Sequence, residues 1–312
     1  MSFEKMNLKV EQIREFQPHY SESPVTGVIG LSGGEWSQAF AFKQGGKDYV
    51  LRLSESEDDF LIDSFANRFS TIRLPIPKIV ELGAAFGGYY AVSERAFGVM
   101  IDDLDKASMK RIIPSLFETL DAIRVADISG TNGFGILDVN GNGVNQSWNE
   151  FLHSVADDAP NRKVHGWREG LKSSPLGDEP FNRAYAKLVE LSRDLPEVRS
   201  LMHNDLMHFN VLTNDDKINA VFDWANASYG DFLYELASIA FWGPLYEPIK
   251  EIDWIAEAES HFKEIGLEVP QFEKRLQCYM IRVGLDAQSY YGFKRNWDWL
   301  KPVVDRTMEI AK

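Results

Sequence analysis

The first hundred residues alternate between hydrophobic and polar positions in short stretches. In one of them Tyr49, Leu51 and Leu53 face one side of an extended chain, a period of two that is typical of a half-buried strand. The preceding pair, Gly45 and Gly46, favours a tight hairpin turn. The pattern predicts strands at residues 26–31, 37–43, 48–53, 79–82 and 89–94, with a helix at residues 58–69 after the third strand.

Beyond Gly98 the hydrophobic residues recur at every third or fourth position. Leu116, Leu120 and Ile123 show this spacing, which is that of an amphipathic helix. The pattern predicts helices at residues 113–126, 148–155, 181–191 and 272–291, a Gly- and Asn-rich loop at 130–145, and two strands with loops within 201–224. We therefore expect an α+β, bilobal fold with a small antiparallel β-rich lobe at residues 1–97 and a larger, mostly helical lobe at residues 98–312.

Charge narrows the range of partners. The 312 residues include 33 Lys and Arg against 47 Asp and Glu, a net charge of −14 at pH 7. Nucleic-acid binding requires a basic surface against the phosphates, so we expect no nucleic-acid partner. A cationic small molecule suits this charge, and so does an acidic surface that only keeps the protein solvated.

Cysteine content and hydropathy indicate the compartment. A single cysteine, Cys278, excludes an internal disulfide and a multi-cysteine metal site. Charges interrupt the N-terminal stretch where a signal peptide needs a hydrophobic run, and no stretch approaches the roughly 18 apolar residues of a membrane span. We expect a cytoplasmic protein without a membrane partner that is a monomer or a weak oligomer.

Three polar residues with a characteristic spacing point to phosphoryl transfer. Asp205 lies in a His-x-Asp motif, Asn210 follows it after four residues, and Asp223 lies thirteen positions further on (223 − 210). Protein kinases use this spacing. A carboxylate such as Asp205 can orient an acceptor hydroxyl and take its proton, while the Asn210 amide and the Asp223 carboxylate supply the oxygen ligands that Mg²⁺ prefers. The alternative is that these are unrelated loop residues.

A competing motif lies upstream. Gly30, Ser32 and Gly34 match the Gly-x-Ser-x-Gly nucleophile elbow of hydrolases. That elbow leads from a strand into a helix, whereas the residues that follow Gly34 alternate like a strand. We therefore set the hydrolase hypothesis aside.

Longer segments around the kinase-like motif resemble a known family. His203-Asn-Asp-Leu-Met-His-Phe-Asn210, Val221-Phe-Asp-Trp224 and Gly230-Asp-Phe-Leu-Tyr-Glu-Leu-Ala237 resemble the aminoglycoside phosphotransferase family of small-molecule kinases, over about residues 25–290. Similarity to its hygromycin B branch lies in Tyr49-Val-Leu-Arg-Leu53, Leu74-Pro-Ile-Pro77, Gly133-Phe-Gly135 with Trp148, and Tyr279-Met-Ile-Arg-Val-Gly-Leu-Asp286. The resemblance implies a protein-kinase-like fold with ATP and Mg²⁺ as cofactors.

The resemblance also assigns roles to residues. Asp205 matches the catalytic base, and Asn210 and Asp223 match the magnesium ligands. Asp231 matches the Gly-Asp pair of the family, and independently of the resemblance we expect its side chain to cap the helix that begins there. The residues that the resemblance assigns to ATP are Gly33, Gly34 and Ser37 in the phosphate-covering loop, Arg52 on the third strand, and Glu94 and Ala96 at the hinge to adenine.

Arg52 departs from the usual pattern of the fold. The third strand of a kinase usually presents a lysine to the α- and β-phosphates, but a guanidinium can also clamp a phosphate through two hydrogen bonds. The hygromycin branch similarly has arginine at this place. Asp63 on the predicted helix is our candidate for the carboxylate partner of Arg52, with a solvent-facing Asp as the alternative.

The sequence supports three hypotheses of function. The first is a kinase that phosphorylates a hydroxyl of a cationic aminoglycoside such as hygromycin B, and the second is a kinase for another acceptor, namely a macrolide, an amino alcohol or a sugar. The third is a catalytically silent nucleotide-binding module. Acidic residues that could meet a cationic substrate are Asp157, Asp158, Glu235 and Asp286, although Asp286 lies one turn after Arg282 and suits an ion pair.

Overall fold

The alternating segments at the start of the chain form an antiparallel sheet in the computed structural model, which describes residues 6–31, 37–160, 162–207, 210–247 and 249–312. In chain order the elements are α1 (Val10–Ile13), β1 (Thr26–Leu31), β2 (Gln38–Gln44), β3 (Lys47–Ser54), α2 (Asp58–Ala66), β4 (Ile79–Ala85) and β5 (Gly88–Glu94). The strand order in the sheet is β1-β2-β3-β5-β4. The predicted strands, helix and hairpin are confirmed, and Gly45 and Gly46 adopt the left-handed φ values, 58° and 80°, that such a turn requires.

The alternation along β3 separates a core face from a functional face. Leu51 and Leu53 are fully buried on the side where Phe40 and Phe42 of β2 and Val92 of β5 also pack. Because side chains of a strand alternate between the two faces, Arg52 projects from the opposite side, where its guanidinium lies 5.2 Å from the ring centroid of Phe60 on α2. The packing that buries the two leucines thus directs a cation toward α2.

The rest of the described chain is richer in helices. Its elements are β6 (Val99–Met100), α3 (Lys106–Arg124), β7 (Phe134–Leu137), β8 (Gly143–Asn145), α4 (Trp148–His153), α5 (Trp167–Ser173), α6 (Glu179–Ser192), β9 (Ser200–Met202), β10 (Val211–Asn214), β11 (Lys217–Val221), β12 (Ser228–Gly230), α7 (Leu233–Trp242), α8 (Trp254–Glu264), α9 (Phe272–Lys294) and α10 (Trp297–Ile310). Two further sheets have the strand orders β11-β10-β6 and β8-β7-β12-β9.

Two predictions in this part need correction. Helix α3 begins at Lys106 rather than at residue 113, because the Asp105 side chain accepts the N–H of Ser108 and caps an earlier first turn. The stretch 130–145 was predicted as a loop but contains β7 and β8. These strands are only four and three residues long, too short for a hydrophobic period to be visible, and the pairing of β7 with β12 joins segments far apart in the sequence.

The chain divides into two compact units that interleave along the sequence. Unit 1 comprises Met1–Asp127, Leu137–Asn142 and Asp205–Ala227, and unit 2 comprises Ile128–Ile136, Gly143–Asn204 and Ser228–Lys312. The predicted boundary between two functional lobes, at residues 1–97 and 98–312, stays a prediction. Within the described part of the chain, every helix is too short or too polar to cross a membrane.

Unit 2 is built around the long helix α9. Helices α5, α6, α7 and α10 pack on it. Asp231 is fully buried, and both of its oxygens accept hydrogen bonds from Arg275 of α9, at 2.8 and 2.6 Å. Asp231 also accepts the hydroxyl of Tyr279 at 2.6 Å and the N–H of Leu233 in the first turn of α7 at 3.1 Å. The N-cap of α7 is Phe232 rather than Asp231, but the Asp231 carboxylate still accepts the first N–H of the helix and also joins α7 to α9.

Candidate active site

A buried carboxylate on α2 joins β3 to the segment that follows β11. Asp63 forms an ion pair with Arg52, which confirms it as the partner of that arginine. The other oxygen of Asp63 accepts the backbone N–H of Trp224 at 2.5 Å. Since Trp224 is itself buried, this hydrogen bond fixes the position of the chain next to Asp223.

Asp223 occupies a turn that is unusual for a residue with a side chain. Its φ and ψ are 62° and 67°, a left-handed conformation that aspartate tolerates better than most residues. The turn places one carboxylate oxygen 3.9 Å from a terminal nitrogen of Arg52, with the Asp223 side chain 44% exposed. Asp223 is therefore oriented by the protein on one side and open to a ligand on the other.

Pairing of β10 with β11 brings Asn210 beside Asp223. The Asn210 carbonyl accepts the N–H of Phe222, the residue before Asp223, at 3.0 Å. The Asn210 side chain is buried, and its amide nitrogen donates to the backbone carbonyl of Asp205 at 2.7 Å. This bond fixes the amide plane, and no described residue donates to the Asn210 side-chain oxygen.

Asp205 lies within reach of the same turn. Its carboxylate accepts a long hydrogen bond of 3.4 Å from the side-chain amide of Asn226, three residues after Asp223. The predicted base and the two predicted magnesium ligands, all in unit 1, are thus linked through Asn210, Phe222 and Asn226.

The charge state of this group follows from its surroundings. Burial by itself lowers the pKa of a guanidinium, but the carboxylates of Asp63 and Asp223 outweigh it and raise the pKa of Arg52 above its ordinary value. Burial raises the pKa of Asp63, with Arg52 acting in the opposite direction. Arg52 is therefore a permanent cation beside an exposed carboxylate.

The donor set suits a hard divalent cation. Mg²⁺ prefers oxygen ligands and usually takes only one or two carboxylates from the protein. The Asp223 carboxylate and the Asn210 amide oxygen meet this requirement. In the described part of the chain no group of three or more His, Cys, Asp and Glu residues is arranged to hold a metal ion. The candidate site therefore combines one carboxylate with one amide oxygen, and the role of Asn210 as a magnesium ligand stays a prediction.

The other predicted ATP residues are placed as follows. Ser37 precedes β2, whereas Gly33 and Gly34 lie outside the described residues. Glu94 ends β5 with an exposed side chain, and its backbone N–H donates to the backbone carbonyl of Lys78. Ala96 follows in a segment without regular secondary structure, and its backbone has no hydrogen-bond partner among the described residues. An unused N–H and carbonyl are what a hinge needs to bind adenine, so this role remains open to test.

The acidic residues that were predicted to contact a cationic substrate differ in their exposure and in their existing partners. Glu235 is only 4% exposed. Asp158 accepts the N–H of Gly166 at 2.7 Å and so holds a turn. Asp286 forms the expected i,i+4 pair with Arg282 at 3.3 Å, although Arg282 is buried rather than on the surface. Asp157 and Asp286 keep exposed side chains, so they are the better candidates.

Sequence reasoning missed two contacts of the site. Asn226 was not a candidate, and the hydrogen bond from the Trp224 N–H to Asp63 was not foreseen. Both depend on the left-handed turn at Asp223, which brings the next residues back toward α2 and Asp205. The only signal in the sequence is an Asn three residues after the second Asp of the motif.

The site combines a cation on the third strand of an antiparallel sheet, its carboxylate partner on the next helix, and the set of Asp205, Asn210 and Asp223 around a later strand pair. Together these features define a phosphotransferase of the kinase type. Comparison with known proteins gives the particular family. Residues 27–258 match the model of the phosphotransferase enzyme family, and the chain belongs to this family. The resemblance inferred from the motifs is confirmed.

Individual relatives narrow the comparison. The chain is 35% identical to the hygromycin-B 4-O-kinase of Escherichia coli over 266 residues, which are 84% of this chain and 74% of that protein. It is 31% identical to a thermostable mutant of aminoglycoside phosphotransferase APH(4)-Ia, solved in a ternary complex with AMP-PNP and hygromycin B, with a TM-score of 0.80 and 96% of each chain covered.

A more distant structure shows the fold alone. Aminoglycoside 2'-phosphotransferase-IIIa, solved as a GDP complex, has a TM-score of 0.58 at 16% identity and covers 93% of this chain and 94% of its own. Together with the 0.80 match, it confirms the predicted α+β, kinase-like fold.

Proposed function

We propose that this chain is an ATP- and Mg²⁺-dependent kinase that transfers the γ-phosphate of ATP to a hydroxyl of hygromycin B. The observation that carries the proposal is the linkage of Asp205, Asn210 and Asp223 in one unit beside the cation of Arg52. Similarity to the Escherichia coli hygromycin-B 4-O-kinase over most of the chain supports this acceptor.

Asp205 acts as the base of the proposed reaction. Its carboxylate takes the proton of the acceptor hydroxyl while the hydroxyl oxygen attacks the γ-phosphorus. The new O–P bond forms as the bond from the γ-phosphorus to the β,γ-bridging oxygen breaks, and ADP leaves. Asn226 and Asn210 hold the side chain and the backbone of Asp205 in place for this step.

The nucleotide phosphates require positive charge. Arg52 supplies it from β3 and is kept in place by Asp63. The Asn210 amide oxygen and the Asp223 carboxylate would hold Mg²⁺, which when bound neutralises the charge that develops on the transferring phosphoryl group. Ser37, Gly33 and Gly34 are proposed to cover the phosphates, and Glu94 and Ala96 to offer backbone groups to adenine.

The acceptor follows from charge as well as from similarity. Aminoglycosides carry several ammonium groups, and the net charge of −14 attracts such a molecule. The role that follows is resistance to the antibiotic, exerted in the cytoplasm where ATP is available. Both the cytoplasmic location and a monomeric or weakly oligomeric state stay predictions.

The test is transfer from labelled ATP to a panel of acceptors in the presence and absence of Mg²⁺. We expect Mg²⁺-dependent label on hygromycin B, and expression in a sensitive bacterium should raise tolerance to it. Label on a macrolide, an amino alcohol or a sugar alone would keep the reaction and replace the acceptor. Nucleotide binding in a thermal-shift assay without transfer to any acceptor would make the protein a silent module.

A further inference from the structure

Helix α2 is in contact with distant parts of the chain on two of its faces. On one face Asp63 pairs with Arg52 and accepts the backbone N–H of Trp224. Phe65 lies two residues further along, which places it about 200° around the helix from Asp63. The Phe65 ring lies directly against Gly141, in the loop between β7 and β8. The proposed reaction has no use yet for this second contact.

The loop at residues 138–142 is closed by its own hydrogen bonds. One carboxylate oxygen of Asp138 accepts the N–H of Asn140 and the N–H of Asn142, each at 2.9 Å. The Asp138 carbonyl accepts the N–H of Gly141 at 3.0 Å, and the Asp138 N–H donates to the Asn142 carbonyl at 2.7 Å. The loop therefore presents the backbone of Gly141 to α2 as a preformed surface.

The base of this loop is tied to the segment that follows Asp223. The Leu137 N–H donates to the Ala227 carbonyl at 2.9 Å, and the Ala227 N–H donates to the Trp224 carbonyl at 2.7 Å. The N–H of Trp224 is the group that Asp63 accepts. The contacts thus run from α2 through the loop to the segment after β11 and return to α2, all within unit 1. A displacement at one point of this circuit has to move α2 or the turn at Asp223.

Gly141 is the point of the circuit at which there is no spare room. It is buried, has a left-handed φ of 77°, and an added Cβ would overlap the Phe65 ring. The ring is backed by Arg68, whose guanidinium lies 4.9 Å from its centroid, and by the Phe69 ring at 5.7 Å. The left-handed turn alone would explain a glycine, but it does not require an aromatic ring against it. Gly130 has a similar φ of 79° with open space around it.

We propose that Gly141 is a positioning residue, which sets α2 through the Phe65 ring and so fixes the Arg52 guanidinium relative to the Asp223 carboxylate. The inference rests on the proposed function for the nucleotide that these two groups serve. They lie 3.9 Å apart, and both belong to the phosphate and metal part of the candidate site. The acceptor hydroxyl is assigned to Asp205 instead. The contact between Gly141 and α2 should therefore matter for ATP with Mg²⁺ much more than for the acceptor.

The first test compares Gly141→Ala with Gly130→Ala. Both replacements put an alanine into a left-handed turn, but only the first adds a methyl group against an aromatic ring. Titration calorimetry gives the affinity for ATP with Mg²⁺, and steady-state kinetics gives the KM of ATP and of hygromycin B. We expect Gly141→Ala to weaken ATP binding at least about fivefold and to change the KM of hygromycin B less than about twofold, because small displacements of binding groups are costly.

Gly130→Ala should keep the ATP affinity of the wild type. If Gly141→Ala binds ATP as well as Gly130→Ala does, the proposal is wrong. An equal loss of affinity for ATP and for hygromycin B would also overturn it, because Gly141 would then support the fold in general rather than the nucleotide site.

A change on the other side of the contact completes a double-mutant cycle. Phe65→Ala removes the ring and leaves the loop intact, so it should weaken ATP binding on its own, and it tests the proposal even if Gly141→Ala does not fold. In the Phe65→Ala background there is room for the added methyl group, and Gly141→Ala should then cost no more ATP affinity than Gly130→Ala. A penalty as large as in the wild-type background, or normal ATP binding by Phe65→Ala, would contradict the role of this contact.

A further measurement does not depend on any substrate. Amide hydrogen exchange of the peptide at residues 223–227, which contains the Trp224 N–H, should be faster in Gly141→Ala than in Gly130→Ala, with exchange in α9 the same in both. Faster exchange at residues 223–227 in a protein that binds no ATP would refute the kinase function and support the coupling between the loop and the Asp223 turn. Unchanged exchange in Gly141→Ala would refute the coupling itself, whatever the kinase assay shows.

Discussion

Arg52 shows how one residue can serve structure and ligand binding together. A guanidinium presents five donors in a plane, so one edge can hold Asp63 while other donors stay available to a phosphate. A lysine ammonium at this position would have to bind the Asp63 carboxylate and the phosphate with one compact charged group. The buried Asp63 and the half-exposed Asp223 on its two sides fit this division of donors.

Removal of Arg52 should therefore affect both stability and nucleotide binding. Arg52→Ala leaves Asp63 buried and unpaired, for which we expect a loss of about 3–5 kcal/mol of unfolding free energy and a higher KM for ATP. Urea unfolding and steady-state kinetics measure the two effects. Arg111→Ala, which breaks an exposed pair with Asp216, is the control and should cost far less. Equal losses in the two variants would contradict the assigned role of Arg52.

The catalytic base is tested by a change that keeps its shape. Asp205→Asn removes the proton acceptor, so we expect phosphate transfer to fall at least about a hundredfold, which is the usual contribution of a general base. ATP binding, measured by thermal shift, should stay close to that of wild type. Asp216→Asn, on the exposed turn after β10, serves as the comparison. A variant Asp205→Asn with near-normal turnover would show that another group takes the proton.

At the scale of elements, local patterns predicted what local forces determine. The hairpin between β2 and β3 follows from alternation and two glycines, and α2 and α9 follow from their hydrophobic spacing. Helix α3 was placed too late because the capping residue Asp105 was overlooked. Strands β6 to β8 were missed because two to four residues carry no period. In addition, β6 pairs with β10 and β7 pairs with β12, and these partners lie more than sixty residues away.

The same distinction applies to the candidate site. Asp205, Asn210 and Asp223 were found because their spacing along the chain is itself the signal. For Glu235 the sequence indicated only a possible substrate contact. Its burial and its hydrogen bond from the Asn204 N–H could not be predicted, because both depend on how α7 packs on α9. Asn226 was missed because a left-handed turn at Asp223, rather than any motif, brings it toward Asp205.

Close packing of helices in unit 2 offers a test at the same scale. Gly170 of α5 lies against the backbone carbonyl of Gly292 near the end of α9, where an added methyl group would overlap that carbonyl. Gly170→Ala should therefore push the two helices apart and cost roughly 1–3 kcal/mol of unfolding free energy. Gly30→Ala, in open space on β1, is the control for denaturant unfolding. Equal stability of the two variants would show that α5 can move without cost.

At the scale of the whole molecule, Glu235 links stability to pH. Its ordinary pKa of 4.5 applies to the unfolded chain, and its pKa in the folded protein is about 7. Between these values the folded protein keeps a proton that the unfolded chain has released, so stability falls as pH rises from about 4.5 to about 7. A difference of this size corresponds to about 3 kcal/mol of stability that is present at low pH and absent above pH 7.

Glu235→Gln removes this titration and so isolates it. The unfolding free energy of the variant minus that of wild type should increase from pH 5 to pH 8 by up to about 3 kcal/mol, because only the wild type has to bury a charge at the higher pH. The Glu235→Gln amide also changes the hydrogen bonds to the backbone of His203 and Asn204. That contribution to the unfolding free energy does not depend on pH, so it cancels when the values at pH 5 and pH 8 are compared. The control is Glu259→Gln, which removes a carboxylate that is exposed on α8. A difference in unfolding free energy that stays constant from pH 5 to pH 8 would contradict the prediction. It would mean that the Glu235 carboxylate ionises as readily inside the protein as in water, so that its burial does not raise its pKa.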